Sequence, residues 1–383
     1  MEGTSDKPIY LDYNATSPVM PEAIDAMMPY LRREFGNPSS THRYGRSARR
    51  AVDRARLQVA ELIGASPDEI IFTSGGTESN NLAIFGVIET AESKGNIVTT
   101  AIEHPAVSAV CDHLEQSGHE IHRIGVDENC CIDVDAAIDA IDGDTALVTM
   151  MHSNNETGVI QPVESVFEHA RSQGAVVHTD ASQSVGKVHI DVGSEDIDLL
   201  TIAGHKLYAP KGVGALYVRQ GVDVAPLMRG ADHEGGLRPG TENVAAIVAL
   251  GKACEVIGSR GHRERRRIAG LRDLLEERLR EGIEGLKVNG SRERRLPNTL
   301  NICFPGVRGV ELMAHAQGIN ASTGSACKAG GEAPSPVLKA MGRDDREALA
   351  SLRLSLGCDN DSEQIERAAA LLIDAWREAS GHS

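Results

Sequence analysis

Glu69-Ile-Ile-Phe-Thr-Ser-Gly-Gly-Thr-Glu-Ser79 sets a short apolar run, a pair of glycines and a helix start directly end to end. The first five residues are strand-like, and from Glu78 to Glu92 the spacing becomes helical. On one side, Ser47 to Ile63 also has helical spacing and stops at Gly64. On the other, short apolar runs recur at 96–100, 120–124, 146–150, 175–179 and 199–203, several of them separated by helical segments. Strands alternating with helices predict βα crossovers and a mainly parallel sheet covered on both faces, an α/β fold. Ligands of such sheets bind at the carboxyl ends of the strands, so the residues after each strand carry the functional reading.

A long helical pattern from about Asn243 to Gly258, resumed to about Glu281, leads into a second unit. That unit has strand-like runs at 299–304 and 351–355 and a terminal helix over 362–378, which predicts a smaller α+β domain. The expected division is a large domain over 16–255 and a small one formed by 1–15 and 256–383, with Ile9-Tyr-Leu-Asp-Tyr13 near the junction. For 383 residues, one large and one smaller domain is the natural arrangement.

Hydrophobic residues make up 41% and charged residues 25% of the chain, the balance of an ordinary globular protein. No apolar run reaches the roughly 18 residues of a membrane helix, and residues 1–7 lack the pattern of a secretion signal. The expected location is the cytoplasm. A net charge of −16 opposes direct binding to nucleic acid or to an anionic membrane. The basic run 260–267 is the local exception, and it reads as a solvated helix start. Seven cysteines at irregular spacing, with no CxxC pair, favour neither a disulfide framework nor a structural zinc site. No metal site is expected. Most of these thiols should be buried, with Cys130 and Cys131 the exposed candidates besides Cys327.

Three strand ends share a chemical logic. Gly75, Gly76 and Thr77 open a helix, where backbone N–H groups attract an anion. Asp180 follows the run at 175–179, and Gly204-His-Lys206 follows that at 199–203. A phosphate cup, a carboxylate for a pyridine nitrogen and an amine for an imine are what a pyridoxal 5′-phosphate (PLP) enzyme requires. His104 and Asn155 add polar groups on the same rim.

In their order along the chain these segments resemble the cysteine desulfurases, in the class V aminotransferase group of fold-type I PLP-dependent transferases. The likeness runs through 9–16, Gly36-Asn-Pro-Ser-Ser-Thr-His42, 73–80, Glu103-His104, His152-Ser-Asn-Asn-Glu-Thr-Gly158, 180–186 and 204–206. It continues in Arg238-Pro-Gly-Thr-Glu-Asn243, Ser322-Thr-Gly-Ser-Ala-Cys327 and 351–355, and so covers nearly the whole chain. The resemblance implies a seven-stranded sheet and conversion of L-cysteine to L-alanine, with the sulfur passing to Cys327 as a persulfide. It gives Lys206 the covalent hold on PLP, Asp180 the pyridine nitrogen and His104 the ring face. Gln183 and Asn155 fall near the ring hydroxyl, and Gly76, Thr77 and His205 at the phosphate. Asn155 and Arg353 fall to the substrate carboxylate. Thr241 would reach the phosphate in a partner subunit, which implies a homodimer. A selenocysteine lyase or another class V PLP enzyme is the alternative.

One position departs from the family: the serine expected two residues before His205 is Ala203, which removes one phosphate hydrogen bond unless Thr77, Thr201 or water supplies it. The segment 322–331 is small, polar and glycine-rich, as an exposed mobile segment should be, and Lys328 favours a thiolate at Cys327. Its continuation, Cys-Lys-Ala-Gly-Gly-Glu332, resembles the desulfurases of DNA-phosphorothioation systems; iron–sulfur cluster assembly and tRNA thiolation are the other destinations. In each case the implied partner is a sulfur-acceptor protein.

Overall fold

The protein is described by a computed structural model covering residues 7–91, 95–323, 325–328 and 331–381, of which 325–328 and 331–332 are described by backbone alone. The chain enters through β1 (Ile9–Tyr10) and two helices, α1 (Pro21–Arg32) and α2 (Arg43–Ile63). It then alternates through β2 (Ile70–Thr73), α3 (Gly76–Thr90), β3 (Asn96–Thr100), α4 (Pro105–Gln116), β4 (Ile121–Ile124) and α5 (Val134–Asp139). The large sheet is completed by β5 (Thr145–Thr149), α6 (Glu164–Ser172), β6 (Val176–Asp180), β7 (Leu199–Ala203) and β8 (Gly214–Val218).

These seven strands lie in the order β2-β8-β7-β6-β5-β3-β4. Only β8 runs against the others: it pairs antiparallel with both β2 and β7, while the remaining pairs are parallel. The α/β fold and its mainly parallel sheet are therefore as the alternation predicts. Strand β8 is the element the alternation does not announce, because no helix separates it from β7. Burial of β7 over its whole length explains its unbroken Leu-Leu-Thr-Ile-Ala sequence, since a central strand has no solvent face. Helix α2 turns Val52, Ala55, Val59 and Ile63 inward at helical spacing, and Gly64 ends it in the left-handed region at φ 71°.

Helix α7 (Val244–Gly282) is two helical stretches joined across a kink at the non-helical Gly261, so the basic run opens the second stretch, as its reading as a helix start expects. Before that kink, Ala246, Leu250 and Cys254 join the core under the large sheet. Beyond it, Leu271, Leu275 and Leu279 belong to a second core with Leu11, Leu300, Leu354 and Leu372. Around that second core stand β9 (Lys287–Val288), β10 (Thr299–Cys303), α8 (Gly309–His315), β11 (Ile319–Asn320) and β12 (Ser322–Thr323), and a separate hairpin follows, β13 (Ser325–Lys328) with β14 (Gly331–Pro334). The chain ends through α9 (Pro336–Ala340), α10 (Asp345–Leu349), β15 (Ser351–Ser355) and α11 (Ser362–Ser380). Strands β12, β15, β10 and β9 form an antiparallel sheet, and β1 pairs with β11. Residues 9–12 are thereby fixed beside the last strand, with Asp12 bridging to Ser355.

Candidate active site

A cavity of about 370 Å³ lies at the carboxyl ends of the parallel strands. Gly76, Thr77, His104, Asn155, Asp180, Gln183, His205, Lys206 and Arg353 all line it. Thr241 does not: it is exposed, in the loop before α7.

The glycines of the cup answer a steric demand. A Cβ on Gly214 of β8 would stand 2.7 Å from Gly75 Cα, so the turn out of β2 is pressed against the neighbouring strand. Gly75 adopts φ 149° and caps α3 without a side-chain hydrogen bond. The first-turn N–H groups of α3 thus remain available at the cavity, where the helix dipole favours an anion.

Asp180 ends β6 and is 7% exposed. One carboxylate oxygen accepts from Asn80 Nδ2 at 2.8 Å and the other from the Ser182 N–H at 2.9 Å. Across the cavity His104 caps α4, its Nδ1 accepting the Ala106 N–H at 3.1 Å. That bond leaves the proton of the neutral ring on Nε2. Burial pushes the His104 pKa down, Asp180 acting against this and Lys206 with it. Glu103 beside it accepts from Thr100 Oγ1 at 2.7 Å and the Met151 N–H at 2.8 Å, tying the ends of β3 and β5 together. Burial raises its pKa to about 8, which favours the neutral carboxyl over a second anion behind Asp180.

Lys206 sits in the tight turn Gly204–Lys206 that follows β7. Its Nζ donates to the backbone carbonyls of Asn14 and Ala15, the latter at 2.8 Å. Burial, then the positive charge of Arg353, lowers the Lys206 pKa to about 8, with Asp180 and Asp12 opposing. His205 Nδ1 lies 3.2 Å from Thr16 Oγ1, and burial first, then nearby lysines, lowers its pKa to about 4.

Arg353 projects from β15, donating to Asp12 Oδ1 at 2.8 Å, Ser322 Oγ at 2.9 Å and the Asn155 carbonyl at 3.0 Å. Gln183 donates from Nε2 to the Asn14 carbonyl at 3.0 Å and accepts at Oε1 from Lys187 Nζ at 2.8 Å. Asn14 therefore underlies both Lys206 and Gln183, and its Nδ2 reaches Thr299 Oγ1 at 2.8 Å. Asp12, Asn14, Asn80, Ser182 and Lys187 are contributors that sequence reasoning assigned no role. Asp12 and Asn14 lie inside a motif that was read, yet their work is done on partners hundreds of residues away.

Among the other cysteines, Cys130 is fully buried, with its thiol pushed up to about 12 chiefly by burial, which corrects the expectation that it is exposed. Cys131 and Cys358 are half-buried. The backbone of Cys327 lies in β13 opposite Glu332; its side chain, and that of Lys328, lie outside the described residues.

The aminotransferase class-V family pattern matches residues 9–368. The chain is 45% identical over 363 residues to a cysteine desulfurase of Gluconacetobacter diazotrophicus, covering 94% of this chain and 91% of that one. Among solved structures, a NifS-like protein superposes with a TM-score of 0.90 at 35% identity, covering 96% of this chain and 98% of the other. SspA in complex with cysteine gives a TM-score of 0.81 at 36% identity, covering 91% and 98%. The chain belongs to the aminotransferase class-V family and, within it, to the cysteine desulfurases. Enzymes of this family depend on PLP.

Proposed function

We propose that this chain binds PLP in the cavity and moves the sulfur of L-cysteine onto Cys327, releasing L-alanine. One observation carries the reading: a buried carboxylate, an amine of lowered pKa and an uncapped helix start converge on one cavity at the sheet edge. This donor set fits the cofactor. Asp180 would meet the pyridine nitrogen, His104 the ring face and Gln183 the ring hydroxyl, while Gly76, Thr77 and His205 would hold the phosphate. When bound, PLP supplies an electron sink for the carbon next to the substrate amine.

The protein's own residues do the rest. Asp180 keeps a proton on its ring partner, because a buried carboxylate without a cation would be costly. Lys206 Nζ, with a pKa of about 8, can both give and take a proton near neutral pH. The guanidinium of Arg353 and the side chain of Asn155 orient the substrate carboxylate. Asp12 holds that guanidinium in place beforehand, which lowers the ordering cost on binding. Cys327 Sγ attacks the substrate sulfur; the carbon–sulfur bond breaks with its electron pair left on carbon, which takes a proton to give alanine. The thiol keeps the extra sulfur as a persulfide. Transfer to a separate acceptor protein completes the cycle.

We also read residues 16–255 as the PLP-binding domain and 1–15 with 256–383 as the domain carrying the Cys327 segment. The working unit is a homodimer, in which Thr241 serves the partner's phosphate. Exposed Phe35 and Tyr44, stacked at 5.4 Å, with exposed Leu31, Leu227 and Met228, support a buried subunit surface. No helix among the described residues is long and apolar enough to cross a membrane.

The direct test is to add L-cysteine to the PLP-loaded protein without reductant. The expected result is alanine release together with about 32 Da, one sulfur atom, on the peptide containing Cys327. Sulfur found instead on Cys131 or Cys358 overturns the assignment.

A pH dependence follows from the lowered Lys206 pKa. The neutral amine is the form that reacts with an aldehyde, so PLP uptake by cofactor-free protein should accelerate with rising pH about a midpoint near 8. Arg353→Met removes the second cause of the lowering and should move that midpoint upward. Stopped-flow absorbance across roughly pH 6.5 to 9.5 checks both, and a flat profile would contradict the role of Lys206.

A further inference from the structure

Ala203 leaves the phosphate end of the cavity without a hydroxyl from β7, and the structure offers a replacement. A Cβ built on Gly76 would stand 3.2 Å from the Ala203 methyl and 3.0 Å from Ser182 Oγ. The two side chains thus flank the same residue, the first of α3, and both line the cavity with Thr77 and His205. Ser182 is held by its backbone, whose N–H donates to Asp180 Oδ1 at 2.9 Å. Its hydroxyl makes no hydrogen bond to any described residue. Thr77 is already counted among the phosphate residues, and the hydroxyls of Thr201 and Thr73 are committed elsewhere. Thr201 presents its methyl, 3.7 Å from the same point, and its Oγ1 lies 3.1 Å from His178 Nε2. Thr73 Oγ1 is 2.7 Å from Ser79 Oγ.

We propose that Ser182 is a phosphate-binding residue of this enzyme, its Oγ–H donating to the cofactor phosphate in place of the hydroxyl that Ala203 lacks. The inference rests on the PLP reading above. It assigns the donor to the loop after β6 instead of the end of β7. A serine there reaches the anion from the strand that carries Asp180, so one short segment serves the carboxylate and phosphate ends of the cofactor. A Cβ at Gly76 would crowd this hydroxyl, standing 3.0 Å from Ser182 Oγ.

The test is the dissociation constant of PLP from cofactor-free protein, titrated by visible absorbance, with pyridoxal as the probe lacking phosphate. A hydrogen bond to a charged group contributes about 1.5–3 kcal/mol, so Ser182→Ala should weaken PLP binding at least about tenfold and leave pyridoxal binding unchanged. Ala203→Ser alone should change it by less than about threefold, and added to Ser182→Ala it should restore binding to within about threefold of wild type. Ser182→Thr keeps the hydroxyl and should bind PLP like wild type. If Ser182→Ala binds PLP as tightly as wild type, or weakens pyridoxal equally, the proposal is overturned. The same follows if Ser182→Thr loses as much as Ser182→Ala, since packing would then be responsible. These outcomes differ from failure of the PLP reading itself, in which the wild-type protein would take up no PLP.

Discussion

Cys327→Ser is expected to lower alanine production by at least about a thousandfold while leaving the response to L-cysteine in the cavity intact. A serine hydroxyl is essentially all protonated at neutral pH and is a poor nucleophile toward sulfur, whereas even an unassisted thiol is a few per cent thiolate. The groups proposed to bind cofactor and substrate, Asp180, Lys206, His104 and Arg353, are untouched by the change. Adding L-cysteine should therefore still shift the visible band of the PLP-loaded variant, with neither alanine nor persulfide following. Desulfurase activity that survives in Cys327→Ser would falsify the assignment of the nucleophile. Cys111, Cys130 and Cys254 make poor substitutes, since burial holds them up at about 12, and burial holds Cys358 up at about 11.

The second large effect concerns Lys206→Ala, for which turnover should also fall by about a thousandfold or more. The reason lies in the geometry around Nζ. The neighbouring lysine cannot step in, because Lys187 Nζ is spent on Gln183 Oε1 at 2.8 Å and Asn14 Oδ1 at 3.2 Å. Burial lowers the Lys187 pKa well below its ordinary value, with the charges of Lys206 and Arg353 adding to the effect. Removing Lys206 takes away one of those charges, which leaves Lys187 in place holding Gln183. The variant should bind PLP without a covalent link, and a small primary amine in the buffer should return part of the activity. Stopped-time alanine assays with and without the amine check this. Undiminished turnover without it would move the role away from Lys206.

Much of this was legible before any coordinates. The strand-like runs at 96–100, 199–203 and 351–355 coincide with β3, β7 and β15: β3 and β7 are buried strands of the crossover sheet, and β15 alternates Ser-Leu-Arg-Leu-Ser in the antiparallel sheet. His104, Asp180 and Lys206 could be singled out because each follows such a run directly. Strand β8 escaped notice since Gly214–Val218 returns antiparallel without a helix to mark it. Asn14 escaped for a different reason. Its backbone carbonyl accepts from Lys206 and Gln183, and any residue type presents a carbonyl there. Ser182 and Lys187 were quoted within a motif, but their partners lie in other elements, and no local spacing announces that a hydroxyl is left without a bond. Cys130 looked exposed beside a turn because its burial comes from Ile102, Met151 and Val337, distant in sequence.

The placement of the first residues has a consequence for the order of events during synthesis. Asp12 waits for Arg353, Asn14 for Lys206 and Asn298, and β1 for β11. The floor of the cavity at Asp12 and Asn14 leaves the ribosome more than three hundred residues before Arg353, the arginine that completes its wall. A nascent chain can form the large sheet well before then, since β2 through β8 end at Val218. It cannot close the site around a ligand until β15 has emerged and docked against that opening segment. Cofactor capture thus waits for β15, and a product of translation stalled before it would carry Lys206 without a finished pocket to hold what it reacts with.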